Sequence, residues 1–151
     1  MDAIEHQVLG SSDSWAQAEA EILELCRERG YPENRREEIL TALEEALCNA
    51  CEHAHGGDAA IPIGLKAWFA GVPLWIEVSD GGPGLLEVPP PPNLARKLSG
   101  EETPRGWGLF LMRSFASAVE FASRIPGGCT VRLRFDPAAP ASPAKIRILE
   151  G

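Results

Sequence analysis

Two stretches in the first third of the chain repeat apolar residues at helical spacing. In the first, Trp15, Ala18, Ile22, Leu25 and Cys26 recur between the N-cap oxygens of Ser11-Ser12-Asp13 and the stop at Gly30. In the second, Ile39, Leu40, Leu43, Leu47, Ala50 and Ala54 share one face of a helix spanning 33–55, which opens after Pro32 and ends at Gly56-Gly57-Asp58. Ile4 to Leu9 reads as a short strand ahead of both. Ile61 to Phe69 and Leu74 to Ser79 are rich in β-formers, and the turn Ala70-Gly71-Val72-Pro73 makes them a hairpin. A Gly/Pro-rich stretch centred on Pro89-Pro90-Pro91-Pro92 follows, where proline excludes both a helix interior and a central strand. Gly106 to Ser117 returns to helical spacing. Val119 to Ile125 and Cys129 to Phe135 are strands joined by Pro126-Gly127-Gly128. A Pro/Ala-rich tail, expected to be mobile, runs from Asp136, with an extended end at Lys145 to Leu149. The order β-α-α-β-β-loop-α-β-β pairs strands in hairpins rather than separating them by single crossovers. It predicts an α+β two-layer sandwich, with helices on one face of a mixed, mainly antiparallel sheet.

Composition narrows the function classes. The 151 residues suit one domain, and 44% hydrophobic content supports a core. No apolar run reaches the roughly 18 residues of a membrane span, and the acidic N-terminus lacks a signal-peptide plan, so a cytoplasmic protein that engages no membrane is expected. The net charge of −8 argues against direct nucleic-acid binding. It is uneven: residues 1–60 carry 14 acids and 4 bases, residues 61–151 carry 8 acids and 10 bases. Of the glycines and prolines, 12 fall between Gly81 and Gly108. Cys48, Cys51, His53 and His55 are four potential zinc ligands, but they crowd into eight residues of a helical pattern, unlike the two spaced knuckles of a structural zinc site.

Four elements carry chemistry. Glu45, Asn49 and His53 follow at intervals of four, so one helical face presents a carboxylate able to take a proton and an amide oxygen suited to Mg²⁺. Asp80-Gly81-Gly82-Pro83-Gly84 ends a strand with a carboxylate and glycines that permit close ligand approach. Arg105-Gly106-Trp107-Gly108-Leu109 opens a helix with exposed amides and a positive dipole end, which suits phosphate. Gly127-Gly128-Cys129-Thr130 enters a strand with a hydroxyl. Singly, these read equally well as a solvated face, a turn, a softened helix start and a β-former.

Together, in this order, they resemble the GHKL ATPase superfamily over roughly residues 1–135, leaving 136–151 as the tail. Glu45 to Asn49 is similar to its N box, Asp80 to Gly84 to its G1 box, and Gly106 to Gly108 to its G2 region. The resemblance implies the Bergerat-type ATP-binding fold, with ATP and Mg²⁺ as cofactors. With residues 1–135 taken up by this domain, the phosphoacceptor hairpin of a histidine kinase is not expected. Ala42 to His53 and Gly106 to Met112 resemble the stand-alone anti-sigma-factor serine/threonine kinases of bacteria. Such a kinase, usually a homodimer, binds a sigma factor and phosphorylates an anti-anti-sigma (STAS-type) protein.

That resemblance implies roles residue by residue. Glu45 is the general base and Asn49 the Mg²⁺ ligand. His53 lies near the phosphates. Asp80 accepts from the adenine amine, with Thr130 supporting through water, and Gly82 and Gly84 shape the base pocket. Arg105, Gly106, Trp107, Gly108 and Leu109 form the phosphate segment. The four prolines make the intervening lid stiffer than the family's usual mobile lid. They keep open a second reading, a nucleotide-binding regulatory module that sequesters a partner without efficient phosphotransfer.

Overall fold

The computed structural model describes residues 3–81, 105–123 and 127–149, with backbone alone for residues 53, 54 and 105–107. Six strands form one sheet: β1 (Ile4–Val8), β2 (Ile63–Phe69), β3 (Leu74–Asp80), β4 (Ala118–Ser123), β5 (Cys129–Phe135) and β6 (Ile146–Leu149). Their order is β1-β2-β3-β5-β4-β6, antiparallel except for the parallel β4–β6 pair. The helices are α1 (Ser12–Glu28), α2 (Glu33–Asn49) and α3 (Arg105–Phe115), and α2 runs on into a π turn (Ala50–Ala54). This is an α+β sandwich with a mixed, mainly antiparallel sheet, as the hydrophobic pattern predicts.

The period-2 alternation of the strands decides which sheet face the helices cover. Ile63, Leu65 and Ala67 of β2, Leu74, Ile76 and Val78 of β3, and Val131, Leu133 and Phe135 of β5 turn inward. They join Trp15, Ala18, Ile22 and Cys26 of α1 and Ile39, Leu43 and Leu47 of α2 in a single core. Each large apolar side chain buried there contributes about 1.5–3 kcal/mol. The other face carries a row of cross-strand neighbours, Glu5, Lys66, Glu77, Arg132, Glu120 and Arg147, whose charge alternates across all six strands. Arg132 pairs with Glu77 at 3.0 Å and Arg147 with Glu120 at 3.8 Å. Opposite charges directly across a ladder are mildly favourable, and among the described residues no helix covers this face.

Two buried polar side chains fasten the ends of the elements. The Tyr31 hydroxyl lies within hydrogen-bond reach of the Phe135 and Val72 carbonyls and accepts the Leu74 N–H. Arg35, 1% exposed, donates to the carbonyls of Asp136 (2.8 Å) and Phe115 (2.5 Å), to Glu38 and to Ser117. It thereby ties the start of α2 to the ends of α3 and β5. The Pro/Ala-rich segment, expected as a mobile tail, returns to the sheet as β6. Ala144 exchanges two hydrogen bonds with Arg113 of α3, one from its own N–H and one from the arginine Nε, both 2.7 Å. No helix among the described residues is long and apolar enough to cross a membrane.

Candidate functional site

The site forms where α2, its π turn, the end of β3 and the start of α3 meet. Glu45 and Asn49 stand one turn apart on the part of α2 that faces α3, both half-buried. The residue opposite them is Gly108. A Cβ at that position would lie 2.9 Å from Glu45 Oε2 and 3.3 Å from Asn49 Oδ1. Glycine is therefore required there for close approach, since the residue is buried inside a regular helix. The first turn of α3, which begins at Arg105, is thus held against the carboxylate and the amide. A helix's first turn has backbone N–H groups with no partner inside the helix and carries the positive end of its dipole, and Gly108 belongs to that part of α3. Leu109, one residue on, is 7% exposed and packs into the core rather than toward a ligand. Arg105, Gly106 and Trp107 belong to the helix by backbone, as does His53 to the π turn; their side chains lie outside the description.

The far end of the site is built by β3 and β5. Asp80 closes β3, and its Oδ1 accepts the Cys129 N–H at 3.1 Å, which fixes the carboxylate on the helix-facing side of the sheet. Gly128 makes that approach possible. Its φ is +113°, and a Cβ there would collide with the Asp80 carbonyl oxygen, so only glycine fits this turn. The next residue after Asp80, Gly81, donates its N–H to His55 Nε2 at 2.9 Å.

Side chains alternate along a strand, and Thr130 points to the uncovered face, where its hydroxyl meets Ser79 Oγ at 3.1 Å. Cys129 is the β5 residue paired with Asp80, and its N–H rather than the Thr130 hydroxyl supports the carboxylate. Alternation with the inward Val131, Leu133 and Phe135 sets the face of Thr130, and the register of β3 against β5 pairs Cys129 with Asp80. Cys129 lies inside the Gly127–Thr130 element and His55 among the crowded zinc candidates, but the sequence assigns neither a part in this site. Gly82, Gly84 and the proline run Pro89–Pro92 lie outside the described residues.

The donor set fits the cofactors implied by the resemblance. Asn49 Oδ1 is a neutral oxygen ligand beside a carboxylate, the combination a Mg²⁺ ion bound to phosphates takes. The glycine approach at residue 108 leaves the α3 amides next to that oxygen. All four cysteines are free thiols. Burial, then the charges of Glu45, Glu52 and Glu44, push the Cys48 thiol up to about 11, which keeps it protonated and a poor metal ligand at neutral pH. Among the described residues, no three His, Cys, Asp or Glu side chains converge as metal ligands.

Comparison with known proteins agrees with this geometry. The family profile of the histidine kinase-like ATPase domain matches residues 11–135, ending where β5 ends. An anti-sigma F factor from Thermoanaerobacter sp. (strain X514) is 33% identical over 98 residues. That alignment spans 64% of this chain and 66% of the relative. The anti-sigma F factor of Thermoanaerobacter pseudethanolicus (strain ATCC 33223 / 39E) matches to the same extent. The chain thus spans just under two thirds of the length of these curated relatives. In fold, it resembles the crystal structure of the RsbU and RsbW domains of a Mycobacterium tuberculosis protein. The TM-score is 0.60 at 20% identity, covering 97% of this chain and 34% of that one. The chain belongs to the histidine kinase-like ATPase domain family, within the GHKL superfamily, and its similarity there runs to the anti-sigma factors.

Proposed function

We propose that this protein is an ATP-binding anti-sigma factor of a bacterial partner-switching system. In this reading it acts in the cytoplasm as a serine/threonine protein kinase on an anti-anti-sigma protein of the STAS type. The observation that carries the reading is the approach of Gly108 to Glu45 and Asn49. It puts a helix N-terminus suited to phosphate against a carboxylate that can take a proton and an amide that can hold a metal. A module that only bound nucleotide would have no use for that carboxylate.

The chemistry follows from those groups. Asp80, oriented by the Cys129 N–H, accepts a hydrogen bond from the adenine amine. The opening amides of α3 take the phosphate oxygens. The partner's serine or threonine hydroxyl attacks the γ-phosphorus, the bond to the β,γ-bridging oxygen breaks, and ADP leaves. Glu45 takes the hydroxyl proton. Asn49 would hold a Mg²⁺ ion, which when bound would offset the phosphate charge, and phosphoryl transfer depends chiefly on such positioning and electrostatics. His53, Arg105 and Trp107 are proposed phosphate-side contacts, and Gly82 and Gly84 are proposed to shape the base pocket.

The anti-sigma names of the Thermoanaerobacter relatives support a sigma factor as partner. Two copies of the chain are the proposed assembly, read by light scattering with and without nucleotide. The deciding experiment is incubation with Mg·ATP and a STAS-type partner, followed by detection of phosphoserine or phosphothreonine. Glu45→Ala is expected to abolish transfer while ADP still binds by calorimetry. Equal transfer by Glu45→Ala removes the proposed base. Nucleotide binding with no transfer by the wild type leaves sequestration gated by nucleotide, the reading the stiff proline run favours. No nucleotide binding by the wild type removes both.

A further inference from the structure

His55 lies beyond the four motifs, yet the fold gives it a specific task. It follows the π turn that extends α2, and its own N–H bonds the Ala50 carbonyl five residues back at 3.1 Å. The wider turn carries His55 past Ala50 and brings its ring to Gly81, the residue that follows β3. π turns are rare, appear mostly as single turns within α-helices, and are frequent at functional sites. Here the turn lies on the same helix as Glu45 and Asn49.

The ring is 9% exposed, and Nε2 accepts the Gly81 N–H at 2.9 Å. A backbone N–H can only donate, so Nε2 must be the unprotonated nitrogen and Nδ1 must carry the proton. Nδ1 makes no hydrogen bond among the described residues. The bond to Gly81 is therefore the one polar interaction that side chain supplies there. A tyrosine or leucine would fill the volume. What imidazole adds is an acceptor for the residue that directly follows Asp80.

We propose that His55 is a positioning residue for the nucleotide site: it latches Gly81 to the end of the catalytic helix, and so holds the base-binding end of the site at a set distance from Glu45 and Asn49. The proposal rests on the nucleotide-binding reading above. Its consequence is a coupling between the two ends. Losing the latch weakens recognition of the adenosine part of a nucleotide and leaves recognition of its phosphates intact.

The test compares the wild type, His55→Phe and His55→Gln on the full chain, with ADP and inorganic tripolyphosphate as calorimetric ligands in the presence of Mg²⁺. Phe keeps the ring volume without an acceptor, whereas the Gln side-chain oxygen can reach the place of Nε2. His55→Phe should bind ADP about tenfold more weakly, the loss of one positioned hydrogen bond, with tripolyphosphate affinity unchanged. His55→Gln should restore most of the ADP affinity. ADP binding by His55→Phe equal to wild type overturns the proposal, as does a parallel loss for both ligands, which marks general damage. A wild type that binds neither ligand overturns the nucleotide reading itself. Should His55→Phe not fold, ¹⁵N spectroscopy of the wild-type imidazole tests the latch without a variant. The Nδ1–H tautomer is expected, and the Nε2–H tautomer excludes the latch.

Discussion

Gly108 and Glu45 come from helices some sixty residues apart in sequence, and the structure leaves no room between them for a side chain. A Cβ at residue 108 would lie 2.9 Å from Glu45 Oε2. The contact joins the proposed base to the proposed phosphate helix, so a single methyl group separates catalytic geometry from stability. Alanine in place of a helical glycine favours the helix by about 1 kcal/mol. Gly108→Ala is therefore expected to melt no lower than the wild type. Phosphotransfer to the partner should nevertheless fall on the order of 100-fold, as misplaced reacting groups do. A wild-type rate in a stopped assay would show that Glu45 moves aside at no cost.

Gly128 tests the other end of the site. Its φ of +113° is closed to ordinary side chains, and the Asp80 carbonyl occupies the place of a Cβ. Gly128→Ala should lose about 1–3 kcal/mol of stability, read from the midpoint of urea unfolding. It should also weaken ADP binding, because the turn that carries the Cys129 N–H to Asp80 must shift.

Arg35 predicts a purely structural loss. Its guanidinium serves the carbonyls of Asp136 and Phe115 and the Ser117 hydroxyl from a fully buried position. Arg35→Met leaves those carbonyls unpaired, at a cost of about 3 kcal/mol in denaturant unfolding. Arg35→Lys should recover little of it, since an ammonium cannot reproduce the planar fork.

A pH dependence follows from the pairing of α1 with α2. Burial, then a hydrogen bond to Glu44 and repulsion by its charge, raises the Glu19 carboxyl from 4.5 to about 7. Between these values the folded chain holds a proton that the unfolded chain has released. The stabilising contribution is thus complete below 4.5 and is lost as pH rises toward 7. Glu19→Gln should flatten this part of the melting-temperature profile and raise the melting point at pH 8. An unchanged profile would show that the two carboxyls do not share a proton.

The helices and hairpins were legible in the sequence because each buries a stripe whose period is local. The α1 stripe Trp15, Ala18, Ile22 and Cys26 lies in the core as its spacing predicts. Glu45 and Asn49 were legible for the same reason, being one turn apart on one helix. The contact of Cys129 with Asp80 was not legible, because it depends on the register of β5 against β3, a relation between strands some fifty residues apart. The extended end at Lys145 to Leu149 was legible, but its parallel pairing with β4 was not, because edge pairing depends on what β4 offers and not on the composition of the tail.

The sequence by itself determined the element order, the helical face bearing the carboxylate and amide, and the positions of the glycines. Local periodicity and backbone freedom are properties of short segments. Only the tertiary structure decided what those glycines are for. Gly108 is an approach between helices and Gly128 a turn beneath Asp80. His55, which the sequence offers only as one of four crowded zinc candidates, is a latch, because each of these roles is defined by an atom supplied from a distant part of the chain.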